Sequence, residues 1–441
     1  IDPLATFNLF NISWRDSAGA IRYQVVPHEL TGVEASIVVL YACDFPTGSH
    51  KVGAAYSVLL ERQLSGETVP GRHTLVWPST GNYGIGGAWV GGRMGYRSIV
   101  VLPEGMSRER FELLESYGAD VVKTPGSESN VREVYEATQR LLRSAPDRTA
   151  VLNQFESMGN YRFHYYVTGN TIVELAGELL SRGIGSGKVD VFCSAMGSAG
   201  TIAAGDRLKQ VWPDARVVGL EPIQCSTLYN NGYGSHEIQG IGDNHVTWIH
   251  NTWNMDAIAC IDDQQCLKGL QFLAQEAGWK VMAQRCGLSE AIVGRLSTVF
   301  GISGVCNLLG AIKMAKFYGL DRHSLVVTIC TDGIDRYRST IGELDARYGP
   351  MDEDEAARRL TDIFQGQGVD WIKEGTPDVR AQWHNLKYYT WVEQRGKPVA
   401  DLDAQRDPEW LKSTLLWEAC GRASSHPTCL YSPRPLPGSQ P

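Results

Sequence analysis

No stretch of this 441-residue sequence approaches the roughly 18 consecutive apolar residues that a membrane-crossing helix needs, so no contact with a membrane is expected. A nucleic-acid partner is equally unsupported: 41 basic residues against 49 acidic ones give a formal net charge of −8, without a basic stripe. The ten cysteines, Cys43, Cys193, Cys225, Cys260, Cys266, Cys286, Cys306, Cys330, Cys420 and Cys429, are scattered singly. None forms a Cys-x-x-Cys pair or a Cys/His pair at zinc spacing, and no metal is expected. Several lie in apolar runs, where a reduced cysteine behaves as a small hydrophobe. The first residues, Ile1-Asp2-Pro3-Leu4, lack the basic-then-apolar pattern of a leader. Together these predict a reducing, cytoplasmic setting. Missing too is a Gly-x-Gly-x-x-Gly that opens a helix behind a strand with an acidic residue about 20 positions on, which sets aside a nicotinamide dehydrogenase.

What is present is an ordinary globular composition, 43% hydrophobic and 20% charged, over a length that suits two lobes and an appendage. Short β-branched runs recur: Ile37 to Leu40, Leu75 to Trp77, Ser98 to Leu102, Asp120 to Val122, Val189 to Phe192, Arg216 to Leu220 and Leu325 to Ile329. Helix-like segments separate them, so the spacing predicts an α/β fold with a parallel sheet covered on both faces and right-handed crossovers. Met106 to Leu114 predicts a helix with Ser107 as its N-cap. Past about residue 345 the composition shifts. Met351 to Leu360 reads as a charged amphipathic helix, and Trp371, Trp383, Tyr388, Tyr389, Trp391, Trp410 and Trp417 follow. Aromatics at that density predict a helical extension packed on the catalytic body or on a second subunit. The segment from Ser432 to Gly438 predicts a disordered tail.

Three segments carry chemistry. Pro46-Thr47-Gly48-Ser49-His50-Lys51 is a polar turn ending in a lysine, ahead of a small-residue helix pattern. A lysine amine becomes a carbonyl nucleophile when its surroundings lower its pKa, and pyridoxal phosphate enzymes hold their cofactor on such an amine as a Schiff base. Ser79-Thr80-Gly81-Asn82-Tyr83-Gly84 is a hydroxyl-rich turn whose asparagine can donate to a phenolate oxygen, while hydroxyls and N–H groups hold a carboxylate. Gly197-Ser198-Ala199-Gly200-Thr201 joins a strand to a helix from Ile202 to Val211, a turn that presents N–H groups and the positive end of a helix dipole to a phosphate.

In this order the three segments resemble the fold type II pyridoxal phosphate enzymes: cysteine synthase, cystathionine β-synthase, threonine synthase and the tryptophan synthase β subunit. The resemblance runs from about residue 25 to 345 and includes Asn153-Gln154-Phe155, Thr168-Gly169, Val218 to Pro222 and His236-Glu237-Ile238-Gln239-Gly240-Ile241-Gly242. The last run and the Gln154 segment look most like cysteine synthase and cystathionine β-synthase. Thr47-Gly48-Ser49-His50-Lys51 is closer to the tryptophan synthase β pattern. The resemblance implies a large lobe from residues 1–71 and 183–345 and a small inserted lobe at 72–182, with substrate between the lobes, while composition sets off an extension at 346–425 and a tail at 426–441. It also suggests a homodimer.

The same resemblance implies the roles. Lys51 is the Schiff-base lysine and the base for the α-proton, and His50 reaches the cofactor phosphate. Asn82 contacts the ring oxygen, and Ser79, Thr80, Gly81, Gln154 and Gly240 bind the substrate. Gly197, Ser198, Ala199, Gly200 and Thr201 cradle the phosphate, with Ala199 where many relatives have glycine. For the pyridine nitrogen, relatives place a serine four residues before a tyrosine. Counting back from Tyr337 lands on Gly333, and Thr331, Asp332 or backbone remain open, with Thr331 or backbone favoured by family habit. The expected activity is β-replacement on an L-amino acid with a β leaving group, an activated serine or cysteine, through an aminoacrylate. The alternative is β-elimination to a keto acid and ammonia. A γ-directed reaction like that of threonine synthase, and a binding protein with a decayed site, are more distant readings.

Overall fold

Continuous apolar runs become fully covered strands. All six residues of β2 (Ser36–Tyr41) are buried, as are all of β7 (Val191–Ala195) and β10 (Leu325–Cys330), because helices lie on both faces of their sheet. A computed structural model describes residues 9, 11–79, 81–126 and 131–416. Thr80, the expected tail and the last residues of the expected extension lie outside the described residues.

The remaining strands are β1 (Tyr23–Val26), β3 (Thr74–Pro78), β4 (Arg97–Pro103), β5 (Asp120–Thr124), β6 (Thr149–Val151), β8 (Arg216–Pro222), β9 (Ala257–Ile261) and β11 (Ile372–Glu374). They form two sheets. A seven-stranded sheet has the order β1-β2-β10-β7-β8-β9-β11, and a four-stranded sheet, drawn from within 74–151, has the order β5-β4-β3-β6. Every pairing in the small sheet is parallel. In the large sheet the two edge strands run the other way, β1 against β2 and β11 against β9.

Three local readings change. The extension is not purely helical, since β11 comes from it and extends the large sheet. Ser107 sits at the N-cap position of the helix Arg108–Ser116 without bonding that helix's backbone, because its hydroxyl accepts instead from the buried Arg110 guanidinium at 2.9 Å. Among the extension aromatics, Trp383 and Trp391 are buried, whereas Tyr388 and Tyr389 are 42% and 67% exposed. Among the described residues no single helix is long and apolar enough to cross a membrane, and the apolar helix Ile302–Phe317 is buried along nearly its whole length beside β7 and β10.

Candidate active site

Lys51 is the first residue of the helix Lys51–Leu64. The turn before it is pinned to the end of β10: the His50 N–H donates to the Thr331 carbonyl at 3.2 Å, and Ser49 bridges to Asp332. Small residues follow for a steric reason. A Cβ on Gly86, in the helix Asn82–Arg93, would lie 2.8 Å from Val52 Cα, so the two helices touch backbone to backbone just behind the lysine. The Lys51 Nζ then reaches forward and donates to Gln154 Oε1 and to Ser198 Oγ, each at 3.0 Å.

Ser198 belongs to the glycine turn between β7 and the helix Ile202–Val211. A Cβ on Gly197 would sit 2.7 Å from the Gly240 carbonyl, which explains the glycine and brings the two predicted segments together. Ala199 adopts a left-handed φ of 57°. That conformation suits glycine and costs an alanine roughly 1–2 kcal/mol, so the sequence departure noted at this position has a backbone consequence. The N–H groups of Ser198, Ala199, Gly200 and Thr201 donate to no acceptor among the described residues. Four unpaired donors beside a helix N-terminus suit an anion. Asn160 holds the turn, donating to Ser198 Oγ and to the Gln154 carbonyl at 3.0 Å each.

Asn82 opens the helix Asn82–Arg93, and its Nδ2 donates to Asp332 Oδ2 at 2.6 Å while its Oδ1 is buried without a partner. The Tyr337 hydroxyl donates to the same Asp332 oxygen at 3.0 Å. Arg110 continues the chain of contacts, donating to the Tyr337 hydroxyl at 3.3 Å and to Gln239 Oε1. This polar network ties the small-sheet helices to the large sheet. Asp332 has no exposed surface and does not line the cleft; Thr331 and Ser303 do, with their hydroxyls 2.5 Å apart. Ser79 Oγ accepts from the N–H groups of Gly81 and Gly84 at 2.9 and 3.0 Å.

His50 Nδ1 lies 3.2 Å from the Thr331 carbonyl, so it must carry the proton, and Nε2 is left as a buried acceptor without a partner. Burial, and then the Lys51 charge, push this imidazole down to about 3. A neutral ring with an unprotonated Nε2 offers a phosphate nothing, so the histidine's observed work is to fix the turn that carries Lys51. Asp243 enters the same cleft from the loop after Gly242, with Oδ1 buried and unpartnered. Burial pushes its carboxyl up to about 7, against the opposing charge of Lys51.

The predicted residues Lys51, His50, Ser79, Asn82, Gln154, Gly197, Ser198, Gly240 and Thr331 therefore line one cleft, and Ala199, Gly200 and Thr201 continue the turn behind it. The site residues named from sequence include neither Ser303 nor Asp243. Neither belongs to a local pattern; the proximity of Asp243 to the Gly240-Ile241-Gly242 run was the only available signal.

Residues 30–332 match the family model described as pyridoxal-phosphate dependent enzyme. The chain belongs to that family. As a pyridoxal-phosphate dependent enzyme it is 30% identical over 310 residues to a cysteine synthase of Staphylococcus aureus, covering 69% of this chain and 88% of the relative. It is also similar to the solved O-acetyl serine sulfhydrylase isoform 3 of Entamoeba histolytica, with TM-score 0.64, 25% identity and coverage of 82% of this chain and 96% of that one. A hydrogen sulfide-producing enzyme of Fusobacterium nucleatum is similar with TM-score 0.60, 26% identity and coverage of 78% and 90%. The residues present fit pyridoxal phosphate: an amine in the cleft, four orphaned N–H groups for a phosphate, and the Asn82 amide, which gives one N–H to Asp332 and has a second to donate.

Proposed function

We propose that this pyridoxal-phosphate dependent enzyme catalyses β-replacement on an L-amino acid whose Cβ carries a leaving group, an activated serine or cysteine. The observation that carries the reading is the position of Lys51 Nζ, 3.0 Å from both Gln154 Oε1 and Ser198 Oγ, between the orphaned cradle and the asparagine turn. When bound, the cofactor supplies an electron sink that acidifies the α-proton. Lys51 Nζ holds the cofactor and, once released, takes the α-proton. The N–H groups of Ser198, Ala199, Gly200 and Thr201 hold the phosphate. One Asn82 N–H goes to Asp332 and the other is available to the ring oxygen. Thr331, whose hydroxyl pairs with that of Ser303, would offer the pyridine nitrogen a neutral hydroxyl. Ser79, Thr80, Gly81 and Gln154 bind the substrate carboxylate, and Gly240 closes the wall beside Gly197.

We read residues 1–71 and 183–345, which supply six of the seven strands of the large sheet, as one lobe, 72–182 as the inserted lobe, and the assembly as a cytoplasmic homodimer. The elimination alternative uses the same residues and is favoured only by the likeness to the hydrogen sulfide-producing enzyme. Borohydride reduction and peptide mapping should label Lys51. O-acetylserine, O-phosphoserine, serine or cysteine should change the visible absorbance of the holoenzyme, and a thiol or sulfide should suppress keto acid release in a dehydrogenase-coupled assay. Silence with all four amino acids would defeat the proposal; keto acid release that ignores the nucleophile would favour elimination.

A further inference from the structure

One carboxyl group in the cleft has no task in the scheme above. Asp243 lines the substrate cleft and also a smaller cavity behind it, whose other walls include Glu221, Thr247 and His250. Its Oδ1 is buried and unpartnered, an arrangement that costs free energy unless a ligand completes it. The backbone around it is fixed. The Asp243 carbonyl accepts from Thr227 Oγ1 at 3.0 Å, and the Gly242 N–H donates to the Met196 carbonyl at 2.9 Å. Glu221, by contrast, is satisfied by the N–H groups of Leu228 and Tyr229 at 3.1 and 2.8 Å. Asp243 is therefore a carboxyl group held ready for a partner, on the same cleft as the lysine.

We propose that Asp243 is a catalytic residue that carries the proton of the group leaving or entering at Cβ, while Lys51 serves the α-carbon. This rests on the β-replacement reading. In the first half the Cα–H bond breaks, its proton passes to Lys51 Nζ, and the electron pair forms the Cα–Cβ π bond. The Cβ–X bond breaks with its pair on X, which takes the proton of Asp243 and departs as HX. In the second half the nucleophile Nu–H bonds Cβ and gives its proton to the Asp243 carboxylate. The π pair returns to Cα, which recovers the proton from Lys51. Protons balance over the two halves, and each residue ends as it began.

The division of labour points to a substrate class. Acetate leaves as a stable anion and needs no acid; hydroxide and thiolate leave far better as water and thiol. A protonated carboxyl at this place thus fits serine or cysteine as donor substrate rather than an acyl ester. The titratable and charged groups around Asp243 are Lys51 from the helix Lys51–Leu64, Tyr135 from the helix Val131–Ser144, Cys225 from the turn after β8, and Glu221, His245 and His250 around the rear cavity, and of these the Lys51 charge opposes protonation of the carboxyl. Burial of the carboxyl dominates and favours its protonated form near neutrality.

The test is Asp243→Asn holoenzyme compared with wild type on serine, cysteine and O-acetylserine. Turnover of serine and cysteine should fall about 100-fold or more, with less than about a five-fold loss in the spectral response to O-acetylserine. The kcat/KM profile for serine should show a limb near neutral pH that is absent for O-acetylserine. In cofactor-free protein carrying 13C-carboxyl aspartate, one resonance that titrates above the ordinary carboxylate range should vanish in Asp243→Asn. Equal losses on all three substrates, an unchanged serine rate, or a wild type that uses O-acetylserine alone would overturn the proposal. Failure of the β-replacement reading looks different, because wild type itself would then respond to none of them. If Asp243→Asn binds no cofactor, the wild-type pH profiles and the 13C titration still decide.

Discussion

The two sides of the cleft are held in place by different means. The Lys51 side is built from within, by a turn pinned to β10, close helix contact at Gly86 and short polar bonds through Gln154, Ser198 and Asn160. The Asp243 to His250 side, besides the bonds at its start to Thr227 and Met196, is held from outside by the C-terminal extension. Trp391 Nε1 donates to the Val246 carbonyl at 2.8 Å, and Trp383 Nε1 donates to the Leu228 carbonyl at 3.0 Å. Lys387 Nζ donates to the carbonyls of Trp248 and His250 at 3.1 and 2.6 Å and to Gln405 Oε1 at 2.7 Å. Burial pushes this ammonium down to about 7, while three acceptor oxygens match its three donors. The family match covers 30–332, so the first side lies within it, whereas every extension residue that braces the second lies beyond it. Cofactor chemistry belongs to the shared part, and the loop that meets the β substituent is braced by a part outside the match.

Breaking the first side should cost most. Lys51→Ala should lower activity at least about 10⁴-fold and leave no borohydride-stable label at that position, measured by steady-state kinetics and peptide mapping. Breaking the second side should spare the cofactor. Trp391→Ala removes a fully buried ring and should cost roughly 3–5 kcal/mol in denaturant unfolding. Lys387→Met strips three oxygens of their donor and should cost about 1–3 kcal/mol. In both variants the cofactor absorbance per folded protein should stay near wild type while kcat/KM falls about ten-fold. Loss of cofactor in step with activity would erase the contrast between the two sides.

A smaller effect separates them by pH. Asp243 has a folded pKa raised to about 7, so between the ordinary carboxylate range and neutrality the folded chain holds a proton that the unfolded chain has released. Stability from this group therefore falls as pH rises across that window. Asp243→Asn removes the decline, and its unfolding free energy relative to wild type, from denaturant titration, should be higher at pH 8 than at pH 5 by an amount on the order of 2 kcal/mol. The smallest effect belongs to the cradle. Ala199→Gly relieves a positive φ but loosens the unfolded chain, and should change stability by less than about 1 kcal/mol while tightening cofactor binding a few-fold in an equilibrium titration.

What the sequence made legible was local. Lys51, Asn82 and the Gly197 to Thr201 turn each sit in a short run whose residue types suit one task, and the buried strands β2, β7 and β10 announced themselves as apolar runs. Ser303 and Thr331 come together only because the helix Ile302–Phe317 packs against β10, and no spacing encodes that. Arg110 and Tyr337 meet from opposite ends of the catalytic region. β9 escaped notice because Ala257-Ile258-Ala259-Cys260-Ile261 is poor in β-branched residues, and β11 because Ile372-Lys373-Glu374 carries charges suited to a sheet edge. The pyridine-nitrogen position went unresolved because a count from Tyr337 lands on a glycine, while the hydroxyl pair at the cleft uses a residue from a different helix.

The strand contributed by the extension has one more consequence. Its pairing with β9, Ile372 opposite Ala259 and Glu374 opposite Ala257, covers the outermost row of amides and carbonyls on an apolar strand. A chain cut short ahead of Ile372 would bare that row as a sticky template for its own copies, a hazard that the appendage covers.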